Sequence, residues 1–198
     1  MRLADIVDQW DTADVSYLHP TRSLGMDAYW ESGWAQTAEV AVYAAPGERV
    51  LDFGCGDGRI AIPLAQLGYQ VIAVDSSKRM LDRLTIEAEP LGQMIKMHRS
   101  SGSGLGKIVG RTGVDLVLAR GILPHHSHED AAVLVRNLAK VLKPGGYLLA
   151  DWPVGEHRER QTWYGTTTWD EDARGRVARE AGLELVPSDI SASVWVRS

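Results

Sequence analysis

The chain predicts an α/β fold: a doubly wound, mostly parallel sheet in a three-layer α/β/α sandwich. Three observations carry this. From residue 49 onward, apolar runs of strand length alternate with helix-length segments. The stretch Val50-Leu51-Asp52-Phe53-Gly54-Cys55-Gly56-Asp57-Gly58-Arg59 reads as strand, glycine turn and helix start. A second apolar run, Gln70-Val71-Ile72-Ala73-Val74-Asp75, then ends in a carboxylate. That order builds a nucleotide-type pocket at the carboxyl edge of a parallel sheet. The glycines from Gly54 to Gly58 are spaced G-x-G-x-G, not the G-x-G-x-x-G of nicotinamide and flavin enzymes, which points to a different adenosine-bearing ligand.

Residues 1–48 read as helical, with Trp10, Tyr17, Tyr29, Trp30 and Trp34 scattered through them, and are expected to form a lid. The first strand is expected over 49–53, a helix over 58–67 stopped by Gly68, and the second strand over 71–74. Ser76 or Ser77 caps a helix expected to reach Leu91 and to end at Gly92. A weaker third strand covers 94–98, a Gly/Ser-rich loop 100–106, and a fourth strand 114–119. Ser127-His128-Glu129-Asp130 is a capping box. It opens a helix whose apolar positions, Val133, Leu134, Leu138, Val141 and Leu142, recur with a period near 3.6, so one face is expected to be buried. Lys143-Pro144-Gly145-Gly146 stops it, and the fifth strand is expected over 147–150, before Asp151. Thr168-Trp169-Asp170-Glu171 reads as another capping box, for a helix ending at Ala181-Gly182. Two short strands, 183–186 and 193–196, lie close enough in sequence to pair antiparallel.

At 198 residues the chain is read as one domain, with a lid over 1–48, a cofactor-binding core over 49–151, and an acceptor-side insertion plus a helix-strand-strand tail over 152–198. A net charge of −5 and the lack of a basic run disfavour a nucleic-acid partner. The single cysteine, Cys55, excludes an internal disulfide and suits a reducing, cytoplasmic setting. No apolar stretch approaches the roughly 20 residues that span a bilayer, and the acidic, mixed start Met1-Arg2-Leu3-Ala4-Asp5 is not a secretory leader.

The residue types suit a cationic adenosine ligand. Gly54, Gly56 and Gly58 let a ligand approach the backbone, with helix N–H groups expected to point at it. Asp75 is placed to accept two hydrogen bonds from a ribose diol. Asp52 puts negative charge beside a ligand ammonium or sulfonium, where a pyrophosphate would be repelled, as it would by Asp57. Other patterns fail. Ser101-Gly102-Ser103-Gly104-Leu105-Gly106-Lys107 lacks the first glycine and the Ser/Thr of a phosphate loop. His125, His126 and His128 have no companion ligands at metal spacing, so no metal is expected. Cys55 has no evident base beside it and reads as a small buried residue.

On these residues the chain resembles the class I S-adenosylmethionine-dependent methyltransferases. The 50–58 stretch looks like their motif I. Asp75-Ser76-Ser77-Lys78-Arg79-Met80-Leu81 resembles the ribose-binding acid and the turn beneath the adenine. Asp115-Leu116-Val117-Leu118-Ala119, Leu142-Lys143-Pro144-Gly145-Gly146-Tyr147-Leu148 and Ala181-Gly182-Leu183-Glu184-Leu185-Val186 resemble the fourth strand and the approaches to the fifth and sixth. The resemblance implies a seven-stranded sheet in the order 3-2-1-4-5-7-6 with strand 7 antiparallel. It also implies S-adenosylmethionine as cofactor and S-adenosylhomocysteine as product. The cofactor is assigned to Asp52, Gly54, Cys55, Gly56, Asp75, Ser76, Met80, Ser101, Gly102, Ala119 and Arg120, with Arg22 of the lid near its carboxylate. Where the family often carries an adenine-binding Asp after the third strand, this chain has Ser100 or Ser101. Asp151-Trp152-Pro153 follows the fifth strand rather than the fourth, which argues against amino-group nucleic-acid methyltransferases.

The expected reaction is methyl transfer to a small-molecule acceptor. Trp152, Trp163 and Tyr164 suit an apolar or aromatic one. His125 or His126 is the candidate base where the acceptor must lose a proton. A non-catalytic cofactor-binding protein or partner subunit and an RNA methyltransferase are the alternatives. The acceptor atom and the oligomeric state are not legible.

Overall fold

A computed structural model of the chain describes residues 3–12, 25–162 and 165–198. Its strands are β1 (Arg49–Phe53), β2 (Gln70–Asp75), β3 (Ile95–Arg99), β4 (Val114–Ala119), β5 (Leu142–Ala150), β6 (Leu183–Val186) and β7 (Ser193–Arg197). They form one seven-stranded sheet in the order β3-β2-β1-β4-β5-β7-β6, with β7 antiparallel to both its neighbours. The expected strand order and the antiparallel seventh strand are therefore both present. The chain divides after Arg99 into two compact units.

In the first unit β1, β2 and β3 run parallel, with Val50 beside Val71 and Val71 beside Ile95. Four consecutive residues of β1 and of β2 are buried, the pattern of strands covered on both faces. The helices are α1 (Leu3–Thr12), α2 (Met26–Val40), α3 (Ala61–Gln66) and α4 (Lys78–Glu87). Two helices are shorter than the sequence suggests. The chain turns through positive φ at Gly56 and Gly58, 56° and 95°, so α3 begins at Ala61 rather than at residue 58. Ser77 caps α4, accepting from the Met80 N–H, but the helix ends at Glu87 instead of running to Leu91. Pro90 has no N–H to give and disfavours helical backbone before it, so a 3-10 turn over Glu89–Met94 follows.

In the second unit the helices are α5 (Leu105–Val109), α6 (His128–Val141) and α7 (Glu171–Glu180), with a 3-10 turn at Leu123–His125. α5 begins inside the loop expected over 100–106 and runs on past it: five residues carry no readable period, yet Leu105 and Val109 are buried. α6 begins at the Ser127 cap and buries Leu134, Val135, Leu138 and Val141, while Val133, expected in the core, is 46% exposed. Lys143-Pro144-Gly145-Gly146 does not separate helix from strand. β5 begins at Leu142, and the four residues bulge between its pairings with Val114 and Leu116 of β4. α7 is capped by Asp170, whose carboxylate accepts from the Ala173 N–H at 2.7 Å, not by Thr168. The Thr168 hydroxyl instead donates to the Glu156 carbonyl, within a bridge that folds 154–158 back against 168–169. Trp152, Trp169 and Trp195 form the aromatic core of this unit, with ring centroids 5.2–5.7 Å apart along the chain Trp195–Trp152–Trp169.

Candidate functional site

The first unit holds the glycine turn. The N–H groups of Gly54 and Cys55 both donate to the Val74 carbonyl, at 2.7 and 3.1 Å, which stitches the turn to the end of β2. Gly58 N–H donates to the Cys55 carbonyl at 3.0 Å, and Gly56 N–H to Asp75 Oδ2 at 2.9 Å. These four turn amides are thus used internally, in holding the turn together and against the end of β2. The glycines also differ from one another. A β-carbon on Gly56 would meet nothing within 4 Å, so the turn borders open space there. A β-carbon on Gly58 would overlap Leu84 of α4, so this glycine serves packing rather than ligand approach.

Two carboxylates flank the turn. Asp75 Oδ2 accepts from Gly56 and Oδ1 accepts from the Ser77 N–H at 2.8 Å. Each oxygen keeps a further lone pair, which a diol would fill. Burial raises the Asp75 pKa, against the pull of the Ser77, Gly56 and Ser76 amides and with a further push from Asp11. Asp52 is 3% exposed, and its Oδ2 has no hydrogen-bond partner among the described residues. Burial pushes its carboxyl up to about 7; Arg59 pulls it down, Asp75 adds to the rise, and the Ala61 amide lowers it. A buried acceptor without a hydrogen-bond partner among the described residues fits a cationic, hydrogen-bond-donating ligand, and an acid anchored by backbone amides fits a ribose. Cys55 is buried and its thiol is pushed up, first by burial and then by Asp75 and Asp52, which suits an inert residue. Met80 is buried on α4, and Ser76 lies between Asp75 and the α4 cap, its carbonyl accepting from Arg99 Nε at 2.9 Å.

Both N-terminal helices of this unit are tied to these elements. Tyr29 of α2 donates its hydroxyl to Asp57, and Arg59 donates to Ser32 at 2.9 Å while stacking over the Tyr29 ring at 5.6 Å. Gly33 permits the contact, since a β-carbon there would overlap the Arg59 carbonyl. Asp11 of α1 accepts from the Ser77 hydroxyl at 2.6 Å and pairs with Arg99 at 3.5 Å. The expected lid roles of Tyr17 and Arg22, and the places of Trp163 and Tyr164, lie outside the described residues.

In the second unit, Ser100 accepts from the Gly102 N–H and donates to the Ser103 carbonyl, fixing the loop. Ser101 is exposed there and Gly102 is buried. Ala119 is fully buried at the end of β4. Arg120, expected to contact the cofactor, has its guanidinium committed within this unit: Nε stands 3.0 Å from Asp151, and Nη2 donates to Ser191 at 2.7 Å. Asp151 also accepts from the Gly121 N–H at 2.6 Å.

A cavity of about 550 Å³ opens at the carboxyl ends of β4 and β5, lined among others by His125, Asp151, Trp152, Arg174 and Ser191. Open α/β sheets take their ligands at such ends, and the volume is that of a small-molecule site. The two candidate histidines separate here. His125 lines the cavity, while the His126 ring contacts the Ile122 carbonyl through Nδ1 at 2.9 Å, and its own carbonyl accepts from Thr167 at 2.7 Å. Burial lowers the pKa of both; for His125 the Arg160 charge adds to this and a Gly165 backbone contact opposes it. An unprotonated His125 near neutral pH follows. Among the described residues, no group of three or more His, Cys, Asp or Glu side chains could hold a metal ion, and no helix is long and apolar enough to cross a membrane.

The sequence reading missed the Tyr29–Asp57 and Asp11–Ser77 ties and the cavity role of Arg174. Gly33 was the available signal for the first: a glycine inside a helix marks a close approach.

Residues 50–146 match the model of a family described as a methyltransferase domain. Over 103 residues the chain is 33% identical to a ubiquinone biosynthesis O-methyltransferase of Caulobacter sp. (strain K31), covering 52% of this chain and 40% of that protein. It is 34% identical over 119 residues to the tRNA 5-carboxymethoxyuridine methyltransferase of Escherichia coli (strain K12), covering 58% of this chain and 44% of that one. The chain thus matches less than half the length of these relatives. Its fold superposes with a TM-score of 0.74 on the magnesium protoporphyrin IX methyltransferase of Synechocystis PCC 6803 with bound SAH, at 18% identity and with both chains fully covered.

Proposed function

We propose that the chain, whose residues 50–146 match the model of a methyltransferase-domain family, is a class I S-adenosylmethionine-dependent methyltransferase that transfers a methyl group from S-adenosylmethionine to a small-molecule acceptor. The observation that carries this reading is Asp75, fastened to the glycine turn by the Gly56 and Ser77 amides while its oxygens keep room for a diol. When bound, the cofactor supplies a methyl group activated on sulfonium sulfur: the acceptor's lone pair forms the new bond as the sulfur–methyl bond breaks, and that electron pair stays on sulfur.

The chain's own work is binding, positioning and proton removal. Asp75 holds the ribose. Asp52 faces the cofactor's positive charge, and the Gly54-Cys55-Gly56 backbone borders its methionine part. Ser76 and Met80 are assigned to the adenosine end and Arg22, which lies outside the described residues, to the carboxylate; Arg120, its guanidinium held by Asp151 and Ser191, is left out of the assignment. His125 takes the proton from an acceptor that must lose one. His126, its ring committed to Ile122, is the weaker candidate. His125→Ala should therefore lower turnover about a hundredfold for a proton-losing acceptor, with a smaller loss for His126→Ala. Since the His125 pKa lies below the ordinary 6.5, activity should hold down to that pH and fall only below it.

The cavity of about 550 Å³ and the net charge of −5 support a small acceptor. The tRNA-modifying relative favours RNA as the second reading. One experiment separates them. S-adenosylmethionine and S-adenosylhomocysteine binding is followed by calorimetry, and methyl transfer from labelled cofactor is followed into a metabolite panel and into bulk tRNA. Binding with transfer to a metabolite is expected. Transfer into tRNA alone would replace the small-molecule reading, binding without any transfer would favour a non-catalytic subunit, and absence of binding would remove the cofactor assignment.

A further inference from the structure

The second unit carries a cation that its own fold leaves uncompensated. Arg174, on α7, forms part of the cavity wall. Its Nη1 donates to the Trp152 carbonyl at 3.2 Å and to the Ser193 hydroxyl at 3.4 Å, and its guanidinium lies 5.3 Å over the Trp195 ring. Both hydrogen-bond partners are neutral oxygens. Among the described residues no carboxylate stands within ion-pair distance of Arg174, and Glu171 of the same helix acts on it through space alone. Among the described residues that line the cavity, the other charged side chain, Asp151, is met by Arg120 and the Gly121 amide. With His125 unprotonated, the cavity is left with the Arg174 charge in excess.

A guanidinium has five N–H donors in a fixed fork, and the bonds above engage only one of its nitrogens. The fork matches the two oxygens of a carboxylate. Ser191 and Ser193 hydroxyls stand on the same wall, and Pro124, Trp152 and Pro153 supply an apolar surface. We propose that this cavity takes an aromatic or otherwise planar acceptor bearing a carboxylate, anchored by Arg174, with its apolar body against Pro124, Trp152 and Pro153. The proposal rests on reading the cavity as the acceptor site, and the experiment below lets the two fail separately.

Matched probe pairs, 4-hydroxybenzoate and 4-hydroxybenzamide, indole-3-carboxylate and indole-3-carboxamide, are titrated by calorimetry into the whole chain, with and without S-adenosylhomocysteine. The acids should bind about tenfold more tightly than the amides, the usual effect of one charge-assisted hydrogen-bonded pair. Arg174→Gln should erase that preference and leave S-adenosylhomocysteine affinity unchanged; Arg174→Lys should retain part of it. Equal binding of acid and amide, no binding of either acid at millimolar concentration, or an acid preference that survives in Arg174→Gln would each overturn the proposal. The wild-type comparison needs no substitution, so a variant that fails to fold leaves the test decisive. Acid preference without S-adenosylhomocysteine binding would sink the cofactor assignment alone.

Discussion

Asp75 and Asp151 each stand at the carboxyl end of a buried parallel strand, one in each compact unit, and each follows a small or branched apolar residue. Their surroundings differ. Among the described residues Asp75 is met by backbone amides alone, those of Gly56, Ser77 and Ser76, and its neighbour Asp52 lacks even a full set of those. Asp151 is met by an amide and by the buried guanidinium of Arg120. The first unit thus keeps negative charge in reserve at its strand ends, whereas the second neutralises its strand-end acid and keeps a cation, Arg174, instead. A carboxylate at a strand end marks a ligand site where nothing in the protein balances it. The same pattern in sequence, an apolar run closed by Asp, marks a structural pair where an arginine at the end of the neighbouring strand meets it, as Arg120 after β4 does.

The largest expected effect belongs to Asp52. Its carboxyl is pushed up to about 7 in the folded chain by burial, against roughly 3.9 when unfolded. The folded state therefore holds this proton more tightly. Stability attributable to Asp52 is greatest below about pH 4, declines as pH rises toward 7, and is level above that. At 1.36 kcal/mol per pKa unit the decline is on the order of 4 kcal/mol. Denaturant unfolding from pH 4 to pH 8 should show this slope in wild type and a flatter one in Asp52→Asn. Parallel slopes would mean that Asp52 is compensated after all and that the contrast between the units is wrong.

Asp75→Ala comes next. Losing two charge-assisted hydrogen bonds to a diol should weaken S-adenosylhomocysteine binding about a hundredfold by calorimetry. Arg120→Ala tests the other side of the comparison. It strands Asp151, whose side chain is 32% exposed, so the loss should be about 2 kcal/mol of stability, less than for a fully buried pair. Cofactor-product affinity should change by less than about threefold, within the scatter of an indirect effect. A larger change would return Arg120 to the cofactor. The smallest effect is expected at Asp170, a carboxylate used only as a helix cap and a partner for His157. Asn caps as well as Asp, so Asp170→Asn should leave the thermal midpoint essentially where it is.

The strands were legible because each is a short apolar run, and β1, β2 and β5 close at Gly54, Asp75 and Asp151. β1, β4 and β6 have the expected limits, and β2, β3 and β7 shift by one residue at their ends. What escaped was local chemistry with two competing answers. Thr168 and Asp170 both make plausible caps, and only the pairing of Thr168 with 156–158 decides for Asp170. Lys143-Pro144-Gly145-Gly146 reads as a stop, yet β4 pairs with β5 on both sides of the bulge, at Leu142 and again from Tyr147. In the candidate site, Asp52, Asp75 and the glycine turn were readable because they are contiguous or close in sequence. Arg174 was not: it lies 23 positions after Asp151 in an ordinary amphipathic helix, and its uncompensated charge is a property of the folded wall. The internal bonds of the turn were not legible either, since the Val74 carbonyl reaches the Gly54 and Cys55 amides only once β2 is paired.

The clasp of α2 on the glycine turn has a consequence for how this protein opens. With Gly33 seated on the Arg59 carbonyl and Tyr29 bonded to Asp57, α2 cannot swing aside without prising the turn apart. Its amides should therefore exchange with solvent on the slow timescale of β1 and β2, as members of one cooperative block. Ligand entry would then have to be permitted by segments other than this helix.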